Sequence, residues 1–360
     1  MSNPHTYYLA VLGHGSVGRA FIQQVLAQSE ALQRRRGIRL RIFALANSRR
    51  LLLDPQGIGP DWEERLESQE PSTDIPRQIV SCIQARRLER VILVDNTASD
   101  EVARLYPYYI AHGCDIVSSN KRANTLPLAL YRDLQAALQI HGCSYRYETN
   151  VGAGLPLIDN IRLLHLSGDN ITRIAGVFSG SLSFIFNSLS AGVPFAEAVH
   201  EAISRGYAEP DPREDLSGLD VARKVLILAR ELDIELDLED VEVENLVPAA
   251  LRGLALADFL PRLGEVASYI EERASLCGPD EVLRYVGEVI WDSAEERATL
   301  RASLQAVSRQ SALGNLRKAD NCYAIYTESY GALPIVIQGA GAGPEVTARG
   351  VFGDVLRLID

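Results

Sequence analysis

The run YYLAVLGHGSVG, residues 7–18, decides the reading of the fold. Its first half is a short apolar stretch suited to a buried strand, and it leads straight into Gly13-His14-Gly15-Ser16-Val17-Gly18. An amphipathic stretch follows, with Val17, Phe21, Val25 and Leu26 at helical spacing. Glycines here let the backbone turn tightly and approach a pyrophosphate, whose charge rests on the N–H groups of a helix N-terminus. A lone G-x-G-x-x-G is a weak signal. Here a second apolar run, Leu40 to Ala46, follows after the length of one strand-helix-strand crossover, so the stretch reads as a dinucleotide site in a parallel sheet.

Outward from this loop the alternation continues. Ile75 to Arg87 reads as helix, Arg90 to Asp95 as strand, Asp100 to His112 as helix, Asp115 to Ser118 as strand and Asn124 to His141 as helix. The expected fold class is α/β, a Rossmann doubly wound parallel sheet plus a second α+β domain. The second domain is expected from about residue 145. Strand-like pieces at 144–148, 171–178, 282–290, 321–329 and 333–338 are there separated by helical patterns at 155–166, 183–189, 195–205, 219–232 and 251–275. Ligands of doubly wound sheets sit beyond the carboxyl ends of the strands. Three polar clusters fall at such ends: 46–50, 95–97 and 118–121. The cofactor candidates are therefore Gly13, Gly15, Ser16, Val17, Gly18, Ser48, Arg49, Arg50, Asn96, Thr97, Ser119 and Lys121. No Asp or Glu closes the second strand to hold a ribose 2′-hydroxyl. Ser48, Arg49 and Arg50 stand there instead, which favours NADP(H) with NAD(H) still open; the alternative is that both arginines point to solvent.

The 360 residues, 47% hydrophobic and 23% charged, exclude disorder and fibrous classes. A net charge of −11 gives nothing a phosphate backbone or an anionic membrane would attract, so the expected partner is a small molecule rather than nucleic acid or lipid. No apolar run reaches membrane-spanning length and no leader is read, so the expected place is the cytoplasm. Cys82, Cys114, Cys143, Cys277 and Cys322 are odd in number and scattered, which suits reduced thiols rather than disulfides or zinc. The six histidines show no ligand-type pairing, and His14 inside the loop reads as shape rather than catalysis.

One count says more than the totals. Of 36 basic residues only Lys121, Lys224 and Lys318 are lysine. A chain that uses arginine for plain positive charge keeps lysine by chance, or where a group must release a proton or fit a compact ammonium into a pocket. Lys224 closes the densest segment, GYAEPDPREDLSGLDVARK (206–224). Pro210 and Pro212 hold Glu209 and Asp211 extended, and Asp220 and Lys224 lie one turn apart on a helix face. Ser217 with Asp220 also fits a capping box, and Asp220 with Lys224 an ordinary ion pair. The scarcity of lysine argues for chemistry, because a surface pair in this chain would ordinarily use arginine.

This segment, with SSNKR (118–122), YETNVGAGLP (147–156), GVFSGSLSFIF (176–186) and GAGAGPEVTARGVFGDVL (339–356), closely resembles homoserine dehydrogenases, above all the dehydrogenase part of bifunctional aspartokinase/homoserine dehydrogenases. The resemblance covers essentially the whole chain in order. It implies reversible NAD(P)H-dependent reduction of aspartate 4-semialdehyde to L-homoserine, on the way to threonine and methionine. It implies that Lys121 and Lys224 meet at the reacting end and are catalytic, and that Glu209, Asp215 and Asp220 bind the substrate, with Glu209 and Asp220 receiving its ammonium. Gly341 joins the cofactor set. Glu148, Val151, Ala153 and Leu155 match a monovalent cation site, typically sodium; the competing reading is a glycine-rich hinge. The closing helix, 345–358, is expected to return to the cofactor domain. The expected domains are thus 1–146 with 339–360 for the dinucleotide, and 147–338 for catalysis, substrate and dimerisation. A homodimer is expected, with a tetramer open. Because the loop begins at residue 13 and the sequence closes at Asp360, insensitivity or weak sensitivity to threonine is expected. A different NAD(P) oxidoreductase, or a non-catalytic nicotinamide sensor, would show itself by no turnover of homoserine.

Overall fold

The computed structural model describes residues 5–359. The chain divides into two compact units, one ending at Gly154 and resuming at Gly343, the other spanning Leu155–Ala342. The first holds a six-stranded sheet in the order β3-β2-β1-β4-β5-β6. Its strands are β1 (His5–Leu12), β2 (Ile38–Ala46), β3 (Leu51–Leu53), β4 (Val91–Asp95), β5 (Cys114–Ser118) and β6 (Tyr145–Arg146). Every pairing is parallel except β2 with β3. The strand order reverses between β1 and β4, and that switch point lies where the glycine loop leaves β1. The apolar face of helix Ser16–Arg36 explains its length: Phe21 and Val25 are buried against Leu9, Val11, Leu40 and Ile42. Val351, Phe352 and Val355 of the closing helix Pro344–Ile359 join the same core.

The unit borders differ from the expected ones at 146/147 and 338/339. The Glu148 N–H donates to Asp354 Oδ2 at 2.9 Å, tying 147–154 to the closing helix. At the other end, strand pairing carries residues 339 and 340 with the second unit. The stretch 144–148, expected in the second domain, supplies β6 to the first sheet, since Tyr145 and Arg146 pair with Ile116 and Val117. Two expected helices are interrupted by proline. Tyr106–Ile110 starts with Pro107 in its first turn, and Leu128–His141 starts after Pro127, where a missing N–H costs nothing.

The second unit carries a mixed sheet, order β12-β11-β7-β9-β10-β8. Its strands are β7 (Ile171–Val177), β8 (Glu242–Val243), β9 (Glu281–Asp292), β10 (Arg297–Ser308), β11 (Asp320–Thr327) and β12 (Ile335–Ala340). Strand β10 was not expected, because RATLRASLQAVS is rich in Ala, Ser and Arg. Its pattern is clear only once it is paired: Leu300, Ala302 and Leu304 are buried at alternate positions along antiparallel β9. The long helix expected over 251–275 is broken into Ala249–Arg252, Leu256–Phe259 and Leu263–Ser275, with Gly253 and Pro261 at the breaks. Helices Gly180–Ser190 and Leu219–Arg230 pack on this sheet and bring the 206–224 segment to it. Among the described residues, no helix is long and apolar enough to cross a membrane.

Candidate active site

In the first unit, β1 ends at Leu12 and the loop turns at Gly13, whose φ of 84° lies in the left-handed region. A Cβ there would meet Thr97 Cγ2 at 2.9 Å, and one at Gly18 would stand 2.0 Å from the Gly13 carbonyl oxygen. Those two glycines are demanded by the fold. Gly15 is different. It caps the helix with ordinary φ, and a Cβ there would meet no described protein atom within 4 Å. The first helical turn, with Ser16 and Val17, carries no acidic residue, so the N–H groups and dipole are open to an anion. Asn96, beside this turn, accepts from Ser119 Oγ at 3.1 Å. Its Nδ2 is buried with no partner among the described residues, a donor in want of an acceptor. An uncrowded glycine, an unopposed helix N-terminus and an orphan donor together fit a dinucleotide phosphate.

At the end of β2, Asn47 Oδ1 accepts from the N–H groups of Arg49 and Arg50 at 2.8 Å each, which fixes the turn. Ser48 and Arg49 are exposed and Arg50 half-buried. Lys121 follows Asn120, and that loop is held from beneath. Asp95 is fully buried and accepts at Oδ2 from Tyr106 at 2.7 Å and from Asn120 Nδ2 at 2.9 Å. At Oδ1 it accepts from the Thr97 N–H. Burial and the neighbouring Asp95 push the Tyr106 phenol far up, so it stays a donor. The cation candidates begin at Glu148, 3% exposed, with Oε2 3.6 Å from Arg357 Nη1. Val151 and Ala153 are buried, Ala153 with φ of 54°. Leu155 belongs to the second unit, and its carbonyl accepts from the Leu157 N–H.

In the second unit Lys224 is buried on helix Leu219–Arg230. Its Nζ donates to the Phe178 carbonyl at 2.8 Å and pairs with Asp220 Oδ2 at 2.7 Å, Asp220 itself being partly open to solvent. The competing capping box of Ser217 with Asp220 does not form. Gly218 caps this helix in the left-handed region, φ 74°, because a Cβ would fall 1.9 Å from the Tyr285 hydroxyl. Asp215 accepts from Ser181 Oγ at 2.6 Å and from the N–H of exposed Glu209 at 2.9 Å. Burial raises the Asp215 carboxyl above its ordinary range, and Asp220 and Glu214 add to the rise against those two hydrogen bonds. Asp211 is taken up by a bidentate pair with Arg213, whose guanidinium also covers the Phe259 ring; it belongs to the scaffold. Gly341 lies in this unit, and a Cβ on it would stand 2.0 Å from Asn321 Cγ.

The structure thus brings together Lys224 with Asp220, Asp215 with Glu209, and Asn96 with Ser119 and the glycine loop. Sequence reasoning gave no role to Asp95, Tyr106, Ser181, Asn321 or the Phe178 carbonyl. Phe178 and Ser181 lie in the quoted run 176–186, but only the three-dimensional contacts distinguish them. Among the described residues no cluster of three or more His, Cys, Asp or Glu could hold a metal ion, and all five cysteines are free.

Two family descriptions match the chain: homoserine dehydrogenase over residues 156–356, and homoserine dehydrogenase, NAD binding domain, over 13–148. The chain is 38% identical over 361 residues to a bifunctional aspartokinase/homoserine dehydrogenase of Haemophilus influenzae, covering 99% of this chain and 43% of that protein. It is 37% identical to a homoserine dehydrogenase of Emericella nidulans, with 98% of both chains covered. A crystal structure of a Candida auris protein of unknown function superimposes with TM-score 0.89 at 33% identity, over 98% of both chains. The chain spans about two fifths of the length of the bifunctional relatives. From its glycine loop to its closing helix, this chain belongs to the homoserine dehydrogenase family.

Proposed function

We propose that the chain catalyses the reversible NAD(P)H-dependent reduction of aspartate 4-semialdehyde to L-homoserine, a step toward threonine and methionine. One observation carries this reading: a buried lysine held against Asp220, with Asp215 close by as a second acidic group on the same block. When bound, the nicotinamide supplies or takes up the hydride. The chain's residues do the rest. Lys224 delivers a proton to the developing alkoxide, or withdraws it in the oxidative direction, directly or through a water. Lys121, at the end of β5, is the second proton-handling candidate. Asp220, Asp215 and Glu209 receive the substrate's ammonium, and the shared charge field of the acids selects an amino acid over a neutral alcohol.

The cofactor contacts fall to Gly15, Ser16 and Val17 for the pyrophosphate, to Asn96, Thr97, Ser119 and Lys121 beyond β4 and β5, and to Gly341. Ser48, Arg49 and Arg50 favour a 2′-phosphate, hence NADP(H) over NAD(H). A buried carboxylate with backbone carbonyls at Val151, Ala153 and Leu155 is a hard-oxygen donor set suited to sodium, although Arg357 already offers Glu148 a positive partner. We take the working form to be a cytoplasmic homodimer. Steady-state assays with homoserine and each of NAD and NADP, with and without sodium, test the reading; absence of homoserine turnover with either cofactor overturns it.

A further inference from the structure

We infer that Asn321 is a positioning residue that shares the Phe178 carbonyl with Lys224 and thereby sets where that ammonium sits and how tightly it keeps its proton. The inference rests on the proposed role of Lys224 and adds a residue to it. Phe178 directly follows β7, Asn321 is the second residue of β11, and Cys322 beside it pairs with Val177, so the two strands bring the carbonyl and the amide together. The Phe178 oxygen accepts twice, from Lys224 Nζ at 2.8 Å and from Asn321 Nδ2 at 3.1 Å, which uses both lone pairs. The amide nitrogen also donates to the Tyr323 hydroxyl at 3.0 Å.

The cost of this arrangement reveals its purpose. Asn321 is fully buried, yet its Oδ1 has no partner among the described residues. Flipping the amide would set that oxygen against the Phe178 oxygen, so the orientation is fixed by what the nitrogen donates to. A side chain kept in place at the expense of an unmet acceptor is kept for its donor. The backbone of Gly341 makes room: any side chain there would collide with the amide carbon. Gly341 thus acts through packing on Asn321, whatever else it touches.

The electrostatic consequence has a sign. Each donor on a carbonyl draws on the same electron density, so the Asn321 amide weakens the hold of that oxygen on the Lys224 ammonium. Among the groups facing Lys224, Asp220 pairs with it from its own helix, while Asp215 on helix Arg213–Leu216 and Tyr323 on β11 each lie within charge range of Asp220. Of these the two acids favour the charged amine, and Tyr323, its phenol pushed up by burial, stays neutral. Removing the amide leaves the carbonyl to the ammonium alone, and replacing it by a carboxylate adds an anion.

With only three lysines, the chain permits a direct measurement. In the full chain with ¹³C-labelled lysine, each ammonium is followed by NMR through a pH titration, Lys224 being assigned by the signal lost in K224A. N321L and N321D are expected to move the Lys224 midpoint upward, N321D by about one pH unit or more, while Lys121 and Lys318 keep theirs. N321D preserves the shape of the residue and decides the matter if N321L does not fold; if N321D also fails to fold, G341A, which displaces the same amide, decides by the same upward shift. An unmoved Lys224 midpoint in these variants overturns the inference. Homoserine turnover of the native chain, measured alongside, judges the proposed reaction separately: no turnover with a shifted Lys224 sinks the reaction and leaves the positioning role standing.

Discussion

The two units build their sites in opposite ways. In the first, the candidate phosphate cradle is mainly backbone from residues 13–18, joined by the Asn96 amide. In the second, it is made of side chains from distant segments: Lys224 reaches a carbonyl 46 residues away, Ser181 an acid 34 residues away, and Asn321 a carbonyl 143 residues away. A backbone site demands particular residues at fixed spacing. A side-chain site demands only that the fold deliver the right groups to one place, and many sequences satisfy that.

The largest effect should come where the second kind of site is cut at its centre. Lys224→Ala is expected to lower kcat by roughly 10²- to 10⁴-fold, the usual worth of a positioned proton donor, with cofactor dissociation constants unchanged by fluorescence titration. Lys224→Arg should not rescue it, because a guanidinium does not release its proton near neutral pH. Full activity in either variant would move the chemistry elsewhere. The glycine loop then offers the sharpest contrast with this. Gly18→Ala forces a Cβ onto the Gly13 carbonyl and is expected to cost about 3 kcal/mol, read as a lowered melting temperature. Gly15→Ala meets no protein atom, so its melting temperature should hold while cofactor binding weakens by roughly tenfold. Equal behaviour of the two variants would mean that Gly15 serves the fold after all.

The same contrast explains what could be read in advance. The first sheet was legible because its strands are continuous apolar runs, VILVD being buried at all five positions, and because its loop leaves a positional signature. Strand β10 was hidden since its inward residues include Ala302, and it takes its shape from a neighbouring strand rather than from its own propensity. The segment 206–224 stood out for its charges and prolines, yet Gly218 within it was given no role. The Tyr285 hydroxyl that forbids a side chain there arrives from β9, 67 residues downstream, counting from position 218 to 285. Asn321 gave no signal for the same reason, the carbonyl it serves lying 143 residues away.

Asp215 gives a smaller effect with a defined pH sign. Its carboxyl binds a proton at higher pH than an ordinary aspartate, chiefly through burial, so the substrate-binding anion is present above that raised value and is lost as pH falls through it. In the native chain kcat/KM for homoserine should decline on the acid side at a pH above the usual carboxylate range. Asp215→Asn should raise KM by roughly tenfold and remove that component of the decline. An unchanged acid limb in Asp215→Asn would assign the limb to another group.

The smallest expected effect tests the side chains at the end of β2. The backbone around Arg49 and Arg50 is fixed by Asn47, and the Arg49 carbonyl accepts from the Ser72 N–H at 2.7 Å, so the turn survives changes to either side chain. Arg49 is exposed, and an exposed charge pair is worth roughly 0–1 kcal/mol. Half-buried Arg50 is screened less. Substituting both by Ala should therefore weaken NADP binding by only about tenfold and leave NAD binding in place. The NADP affinity of the double variant should also fall less steeply with added salt. Equal losses for the two cofactors would show that these arginines shape the loop rather than recognise a 2′-phosphate.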